Sequence, residues 1–193
     1  YKRQAWAGVR TEGEISLFTD GKFCKSERGE LQLTEYGISG IPVFQLSTYA
    51  VRAVREGHKA ELHINFMPEL SEEELKKLLY ARKKACPYKK EKELLVGLFP
   101  EKLIKILISQ KQLVSAIREF PLEVQDGMSF SQAQVCSGGV DTSQVNSQTM
   151  ESKLCKGLYF AGELLDIDGT CGGYNLQWAW SSGCLLYTSP SPR

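Results

Sequence analysis

The most constraining feature of the sequence is the glycine-rich segment 137–184, in which eight glycines separate a strand-like run from a helix-like one. Residues 158–161 form a short apolar run between two glycines, which predicts a buried strand. An acidic loop over 164–169 follows, and Gly172-Gly173 then opens a predicted helix over 174–183. The segment therefore predicts a strand, an acidic turn and a helix whose first turn follows paired glycines.

This order of elements has the chemistry of a cofactor site. Glycines let a ligand approach the backbone closely, and the first N–H groups of a helix are unpaired and carry partial positive charge. Glu163, at the end of the predicted strand, is an acceptor for sugar hydroxyls, and the loop adds Asp166 and Asp168. The pattern indicates half of a site for a ribityl- or ribose-bearing cofactor. An ordinary glycine turn without a ligand is the alternative interpretation.

Upstream of that segment the chain begins with β-rich sequence. Alternating apolar residues over 5–35 predict antiparallel strands with turns at Asp20-Gly21 and Arg28-Gly29. A helix is predicted over 42–57, because a proline suits its first turn and a glycine ends it. Renewed alternation over 59–66 predicts a further strand.

A helical block is predicted over 70–119. Ser71 and Glu74 have the spacing of a capping box, in which each side chain bonds the other residue's backbone N–H at a helix start. Two or three more short helices are predicted before the block ends, interrupted at Pro100. Short strands are predicted to follow at 122–124 and 133–135.

The charge of the chain limits the classes of partner that it is expected to bind. The chain has 24 lysines and arginines against 23 acids, and this balance predicts neither nucleic acid nor an anionic membrane as the main partner. The lysine-rich run 83–92 has the charge to bind phosphate or nucleic acid. Its interleaved Glu91 and Glu93, and the lack of an aromatic stripe, favour an ordinary solvated face.

Cysteine and histidine content argues against a metal site. None of the six cysteines forms a C-x-x-C pair, and only two histidines are present, so no metal is expected. Calcium is disfavoured because Gln177 stands where an EF-hand loop that starts at Asp166 needs glutamate. No signal peptide or membrane-spanning run is visible, so free thiols in a reducing, cytoplasmic compartment are expected.

The sequence over 157–183 resembles the C-terminal flavin motif of a bacterial family, the BaiN/RdsA-type NAD(P)/FAD-dependent oxidoreductases, also labelled aminoacetone-oxidase-family FAD-binding enzymes. Supporting motifs lie upstream in the family's order: Leu-Thr-Glu-Tyr-Gly-Ile-Ser-Gly at 33–40, Gly-Gly-Val-Asp at 138–141 and Thr-Met-Glu-Ser-Lys at 149–153. The resemblance covers about residues 1–184 and is strongest from 137.

The resemblance implies a mixed α+β or α/β flavoprotein of the two-dinucleotide-binding-like type, whose FAD domain is assembled from both chain ends. It divides the chain into a β-rich middle domain with a helical insertion, a C-terminal part of the FAD domain and a foreign or disordered tail. The corresponding ranges are 1–69 and 120–136 for the middle domain, 70–119 for the insertion, 137–184 for the FAD-domain part and 185–193 for the tail.

The resemblance also implies which residues bind FAD. The Gly162-Glu163 pair resembles the strand-end motif whose carboxylate holds the flavin ribityl chain, with glutamate in place of aspartate. Asp166 and Asp168 either bind ribityl hydroxyls or shape the loop. Further along, backbone N–H groups would face the isoalloxazine edge near N1 and O2; they belong to Gly172, Gly173, Tyr174, Asn175 and Leu176.

The chain departs from the family pattern because it contains no Gly-x-Gly-x-x-Gly, the motif that cradles the FAD pyrophosphate. We therefore expect a fragment that binds FAD weakly or not at all and is inactive. The parent is expected to be an FAD-dependent oxidoreductase that moves two electrons between flavin and NAD(P)H or a small organic substrate. The alternative is a non-catalytic binding or scaffold module. No catalytic residue and no oligomeric state is assigned.

Overall fold

The computed structural model describes residues 3–127, 131, 133 and 135–188, and the chain falls into two compact units, Tyr1–Gly127 and Met128–Arg193. Each unit has a buried apolar cluster of its own. The chain is mixed α/β, which confirms the predicted fold class.

The first unit is built on a five-stranded antiparallel sheet. Its strands stand in the order β3-β2-β1-β4-β5. They are β1 (Val9–Thr19), β2 (Lys22–Leu33), β3 (Ile38–Ser39), β4 (Ala60–Asn65) and β5 (Phe120–Glu123). The predicted turn at Asp20-Gly21 joins β1 and β2 into a hairpin, and the strands predicted over 59–66 and 122–124 correspond to β4 and β5.

The second predicted turn, at Arg28-Gly29, is wrong. Both residues lie inside β2, where Gly29 is paired with Gly13 of β1. A Cβ atom on Gly13 would lie 2.9 Å from the Asn65 carbonyl oxygen, so this glycine allows the close approach of neighbouring strands. Glycine marks a strand interior here, which it does less often than it marks a turn.

Five α-helices and one short 3₁₀ helix, Arg3–Trp6, accompany the sheet in the described part of the first unit. The α-helices are α1 (Ile41–Arg55), α2 (Glu72–Ala85), α3 (Glu91–Leu94), α4 (Glu101–Leu107) and α5 (Leu113–Arg118). The predicted capping box starts α2: Ser71 Oγ accepts a bond from the Glu74 N–H (3.2 Å), and Glu74 Oε2 accepts one from the Ser71 N–H (2.8 Å). The helix predicted over 42–57 is confirmed as α1.

One core serves the sheet and the helical block. Ile15 and Leu17 of β1 are fully buried, as are Leu103 and Leu107 of α4, and all four belong to a single apolar cluster. Burying a leucine or isoleucine side chain stabilises a fold by roughly 1.5–3 kcal/mol. The chain leaves the sheet after β4 and returns beside it as β5, so the helices over 70–119 are inserted between two neighbouring strands.

Asp20 ties the β1–β2 hairpin to the start of β4. Its Oδ1 accepts a hydrogen bond from the Lys59 N–H (2.9 Å), and its Oδ2 lies 2.8 Å from Nδ1 of His58. The bond from the Lys59 backbone, and then the contact with His58, lower the pKa of the Asp20 carboxyl. His58 therefore has a structural contact.

Acidification is expected to remove the stability that Asp20 contributes. Its folded pKa lies below its unfolded value of about 3.9, so the contribution is present above that value and is lost as the pH falls through the folded pKa. Asp20→Asn lacks this contribution at every pH. The difference in unfolding free energy between the two proteins, measured in urea, should shrink below about pH 4. A difference that stays constant from about pH 7 to about pH 3 would contradict the prediction.

The described part of the second unit contains two short 3₁₀ helices and one long α-helix. The short helices are Thr142–Gln144 and Gly162–Leu164, and the long one is α6 (Tyr174–Thr188). Its buried cluster consists of Val145, Met150 and Leu165. No helix within the described residues is both long and apolar enough to cross a membrane.

Two elements of the second unit differ from expectation. The buried strand predicted over 158–161 is an extended segment with a single bridge, from Tyr159 to Glu151, and Leu158 is 43% exposed. With one paired neighbour, its apolar side chains are not enclosed. The helix runs past Gly183 to Thr188, so 185–188 are helical. Residues 189–193, and Gln134 of the strand predicted over 133–135, lie outside the described residues.

Candidate functional site

The segment around Gly138-Gly139 runs parallel to the acidic loop. Val140 donates its N–H to the Leu164 carbonyl oxygen (2.8 Å), and the Asp166 N–H donates to the Val140 carbonyl oxygen (3.0 Å). These two bonds form a parallel bridge between Val140 and Leu165. The bridge fixes the path of the loop that carries the predicted carboxylates.

Two further contacts hold the same loop. The Gly138 N–H donates to Asp166 Oδ1 (2.9 Å), so one oxygen of this carboxylate shapes the loop. A Cβ atom on Gly139 would lie 2.7 Å from the Leu164 carbonyl oxygen and 2.9 Å from the Asp166 nitrogen. Only glycine fits there without a shift of the backbone. Asp168, further along the loop, is exposed.

The turn that carries Glu163 is docked on α6 through its glycine. The Gly162 N–H donates to Ser182 Oγ (2.9 Å), and the Gly162 carbonyl oxygen accepts a bond from Trp178 Nε1 (3.2 Å). Gly162 has a φ of +67°, a left-handed conformation that favours glycine. Glu163 is left exposed at the surface of the turn.

Asn175 joins the end of the acidic loop to the first turn of α6. Its Oδ1 accepts a hydrogen bond from the Gly169 N–H (2.7 Å), and its Nδ2 donates to the Gly169 carbonyl oxygen (3.1 Å). The side-chain amide therefore satisfies both backbone groups of one residue. A Cβ atom on Gly169 would lie 2.8 Å from Asn175 Oδ1, so this pairing also requires glycine.

The start of α6 presents backbone amides at the surface. Gly172 and Gly173 have φ values of +119° and +93°, and a Cβ atom on Gly173 would meet nothing within 4 Å. The Gly173 carbonyl oxygen accepts the bond from the Gln177 N–H (2.9 Å). The N–H groups of residues 174–176, which are the first three residues of the helix, donate to no acceptor within the described part of the chain. Such groups attract an anionic or electron-rich ligand.

The predicted site residues are thus brought together by α6. Gly162-Glu163 is attached through Trp178 and Ser182, the acidic loop is attached through Asn175, and the paired glycines lead directly into the helix. Ser182 was not predicted, although it is the single buried polar residue within the described residues. It donates to the Trp178 carbonyl oxygen (2.8 Å) while it accepts from Gly162.

Another face of α6 is apolar and open to solvent. Leu176, Trp180 and Tyr187 are 69%, 73% and 93% exposed. A shallow groove of about 430 Å³ follows this face, lined by Ala179, Trp180, Gly183, Cys184, Tyr187 and Thr188. Trp178 is half-buried, so the two tryptophans of the predicted helix have different surroundings.

A sequence model of the HI0933-like protein Rossmann domain matches residues 25–187. The chain belongs to the HI0933-like family. This match covers most of the chain, both units included, and confirms the resemblance seen in the motifs.

Similar proteins of this family carry enzyme names. The chain is 39% identical to the 3-dehydro-bile acid delta(4,6)-reductase of Clostridium scindens, over 97% of this chain and 50% of the reductase. It is 36% identical to the ribosomal RNA dihydrouridine synthase of Haemophilus influenzae, over 86% of this chain and 43% of that enzyme. With the synthase of the same name from Escherichia coli the identity is 33%, over 93% and 46%. The chain spans about half the length of these relatives.

Proposed function

We propose that the chain is part of an FAD-dependent oxidoreductase that exchanges two electrons with NAD(P)H or a small organic substrate. The observation that carries the proposal is the set of open backbone amides at the start of α6, next to a glycine whose side-chain position is empty space. The names of the relatives support a reduction: one is a reductase, and dihydrouridine is uridine with two more hydrogens.

The described residues fit a flavin. A planar ring needs close access to the backbone, and Gly172 and Gly173 provide it because they lack side chains at positive φ. The ring edge around N1 and O2 is rich in electrons and calls for hydrogen-bond donors, which residues 174–176 present. The ribityl hydroxyls call for an acceptor, and Glu163 is an exposed carboxylate on a turn tied to the same helix.

When bound, flavin supplies hydride chemistry that needs no acid or base from the protein. The residues of this chain would stabilise negative charge on the flavin and hold it in position. The amides of α6 would stabilise negative charge at the ring edge, since a helix of 15 residues adds the positive end of its dipole there. Glu163 would hold the ribityl chain. Asp166 and Asn175 would keep the loop between these two groups in place.

In this proposal, the exposed apolar face of α6 is where the chain contacts the rest of the enzyme. In the proposed enzyme, the FAD domain is completed by sequence equivalent to the half of the relatives that this chain does not span. Leu176, Trp180 and Tyr187 would then pack against that half and become buried. The pyrophosphate of FAD would be held there as well.

Replacement of Gly173 by leucine is expected to remove bound flavin from a complete enzyme. A suitable protein is a chimera in which this chain replaces the matching half of the Clostridium scindens reductase. The unsubstituted chimera should purify with flavin absorbance. The Gly173→Leu side chain would fill the space in front of the amides, and loss of one charge-assisted bond weakens binding by roughly tenfold or more.

Gly157→Leu is the matched control. Gly157 has a φ of +83° and, like Gly173, has nothing within 4 Å of its Cβ position. Both variants therefore have similar backbone strain, and circular dichroism should show the same folded content. Flavin retained equally by both variants would contradict the site assignment. A folded but colourless unsubstituted chimera would favour the alternative of a non-catalytic module.

A further inference from the structure

We propose that Ser182 is a positioning residue for the ribityl chain of the flavin. Its buried hydroxyl holds the Gly162–Leu164 turn on α6, and this contact sets where the Glu163 carboxylate lies relative to the amides at the start of the same helix. The inference rests on the proposed function, and Ser182 would act on the flavin only through Glu163.

A serine at this position of α6 is not explained by packing. Ser182 is 1% exposed, and it is the one buried residue among the 15 of the helix. Alanine is close to serine in size and is the better helix former, because a serine side chain competes for nearby backbone groups. A position that needed only close packing would therefore favour alanine. The hydroxyl is explained by the groups that it bonds.

The Ser182 hydroxyl is used as a donor and as an acceptor. It donates to the Trp178 carbonyl oxygen, one turn earlier in α6, at 2.8 Å. Its Oγ accepts the bond from the Gly162 N–H at 2.9 Å. The first bond fixes the rotation of the hydroxyl, so that its lone pairs remain available to the turn. Without the hydroxyl, a partly buried N–H would lose this acceptor, which costs more than the bond itself contributes.

Gly162 is held on α6 at both of its backbone groups. Its carbonyl oxygen accepts a bond from Trp178 Nε1 (3.2 Å), while its N–H is bonded to Ser182. The two side chains stand four residues apart, and therefore on one face of the helix. A single bond would let the turn rotate about the contact, whereas two bonds on opposite sides of one residue fix its orientation. The next residue is Glu163, so the backbone that carries this carboxylate is fixed relative to α6.

The same helix carries the other proposed flavin contacts. The N–H groups of residues 174–176 lie at its start, and Ser182 follows Tyr174 by eight residues, about 12 Å along the helix axis. Because a hydrogen-bonded helix of this length is stiff, one element holds both the carboxylate and the amides. A flavin that binds to both then meets groups that are already in place, which reduces the ordering cost of binding.

The two sets of contacts belong to different parts of the flavin. The amides would face the isoalloxazine ring, whereas Glu163 would accept bonds from the ribityl hydroxyls. Riboflavin has both parts. Lumiflavin has the same ring, with a methyl group in place of the ribityl chain. Loss of the Ser182 bond should therefore weaken the binding of riboflavin and leave the binding of lumiflavin unchanged.

The test uses the chimera with the Clostridium scindens reductase, freed of bound flavin, and measures the binding of riboflavin and lumiflavin by the quenching of their fluorescence. Ser182→Ala should weaken riboflavin binding by roughly tenfold and should not change lumiflavin binding. Ser182→Thr keeps the hydroxyl and should retain the riboflavin affinity. Ser181→Ala is the matched control, because Ser181 is exposed on the same helix and accepts a bond from the Gln177 side chain (3.0 Å). It should bind both flavins like the unsubstituted chimera.

Two further measurements separate positioning from general stabilisation. Trp178→Phe removes the other bond to Gly162 and should produce the same selective loss of riboflavin, so the test does not depend on the folding of one variant. In a chimera that carries Glu163→Gln, Ser182→Ala should have no further effect on riboflavin binding. The effects of the two substitutions are then not additive, since Ser182 acts through the carboxylate that has been removed.

An equal loss of riboflavin and lumiflavin in Ser182→Ala would show a merely structural role and would overturn the inference. A loss of the same size in Ser181→Ala would overturn it too, as would additive effects of Ser182→Ala and Glu163→Gln. In each of these cases the unsubstituted chimera still binds both flavins, and the proposed function stands. An unsubstituted chimera that binds neither flavin would contradict the proposed function itself, and the role of Ser182 with it.

Discussion

Replacement of Gly40 by alanine is expected to destabilise the first unit by roughly 3–5 kcal/mol. The residue is buried with a φ of +114°, and a Cβ atom there would lie 2.4 Å from the Glu30 carbonyl oxygen. The obstacle is backbone of β2, so it cannot rotate away as a flexible side chain would. Gly40 also accepts the first hydrogen bond of α1, from the Phe44 N–H (3.0 Å), so any shift moves the helix.

The matched control for this variant is Gly57→Ala. Gly57 follows the same helix with a φ of +87°, and nothing lies within 4 Å of its Cβ position. The control has the backbone strain without the collision and should cost about 1–2 kcal/mol. Urea unfolding followed by circular dichroism measures both. Equal losses would show that conformational strain, and not the approach of β2, requires glycine at position 40.

The sequence predicted elements whose cause is local. The capping box of α2 depends on two residues three apart, and the Asp20-Gly21 turn on two adjacent ones. The start of α1 could be predicted for the same reason, from Pro42. In each case the residues that form the element lie within four consecutive positions of the sequence.

The wrong predictions concern residues whose role depends on distant partners. The sequence predicts a turn at Gly29, but its place inside β2 is set by pairing with Gly13, sixteen residues away. The run at 158–161 has the composition of a buried strand, yet one bridge, to Glu151, leaves Leu158 exposed. Composition tells whether a segment is apolar. Whether its side chains are buried depends on which neighbouring strands pair with it and in what register.

The same distinction applies to the candidate site. The paired glycines and the helix after them could be predicted because they are adjacent in sequence. The hydrogen bonds that support the site could not be predicted, since Ser182 is twenty residues from Gly162 and Asp166 is 28 residues from Gly138.

Gly139→Ala is expected to unfold the described part of the second unit while the first unit stays folded. The added Cβ would lie within 3.0 Å of three backbone atoms of the acidic loop, in Leu164, Leu165 and Asp166. The Val140–Leu165 bridge cannot form at that distance, and Leu165 is one of the three buried residues of the unit. A small core that loses one member has little stability left, because domains below about 70–80 residues rarely exceed 3–5 kcal/mol.

Hydrogen exchange measured by mass spectrometry distinguishes the two units. Peptides from 138–188 should lose protection in Gly139→Ala, while peptides from β1 and β4 keep it because their core is separate. Gly138→Ala is the control, since Gly138 has a φ of +103° and an open Cβ position. Protection of 138–188 in both variants would show that the loop can move aside, and the acidic loop would then be too mobile to orient a cofactor.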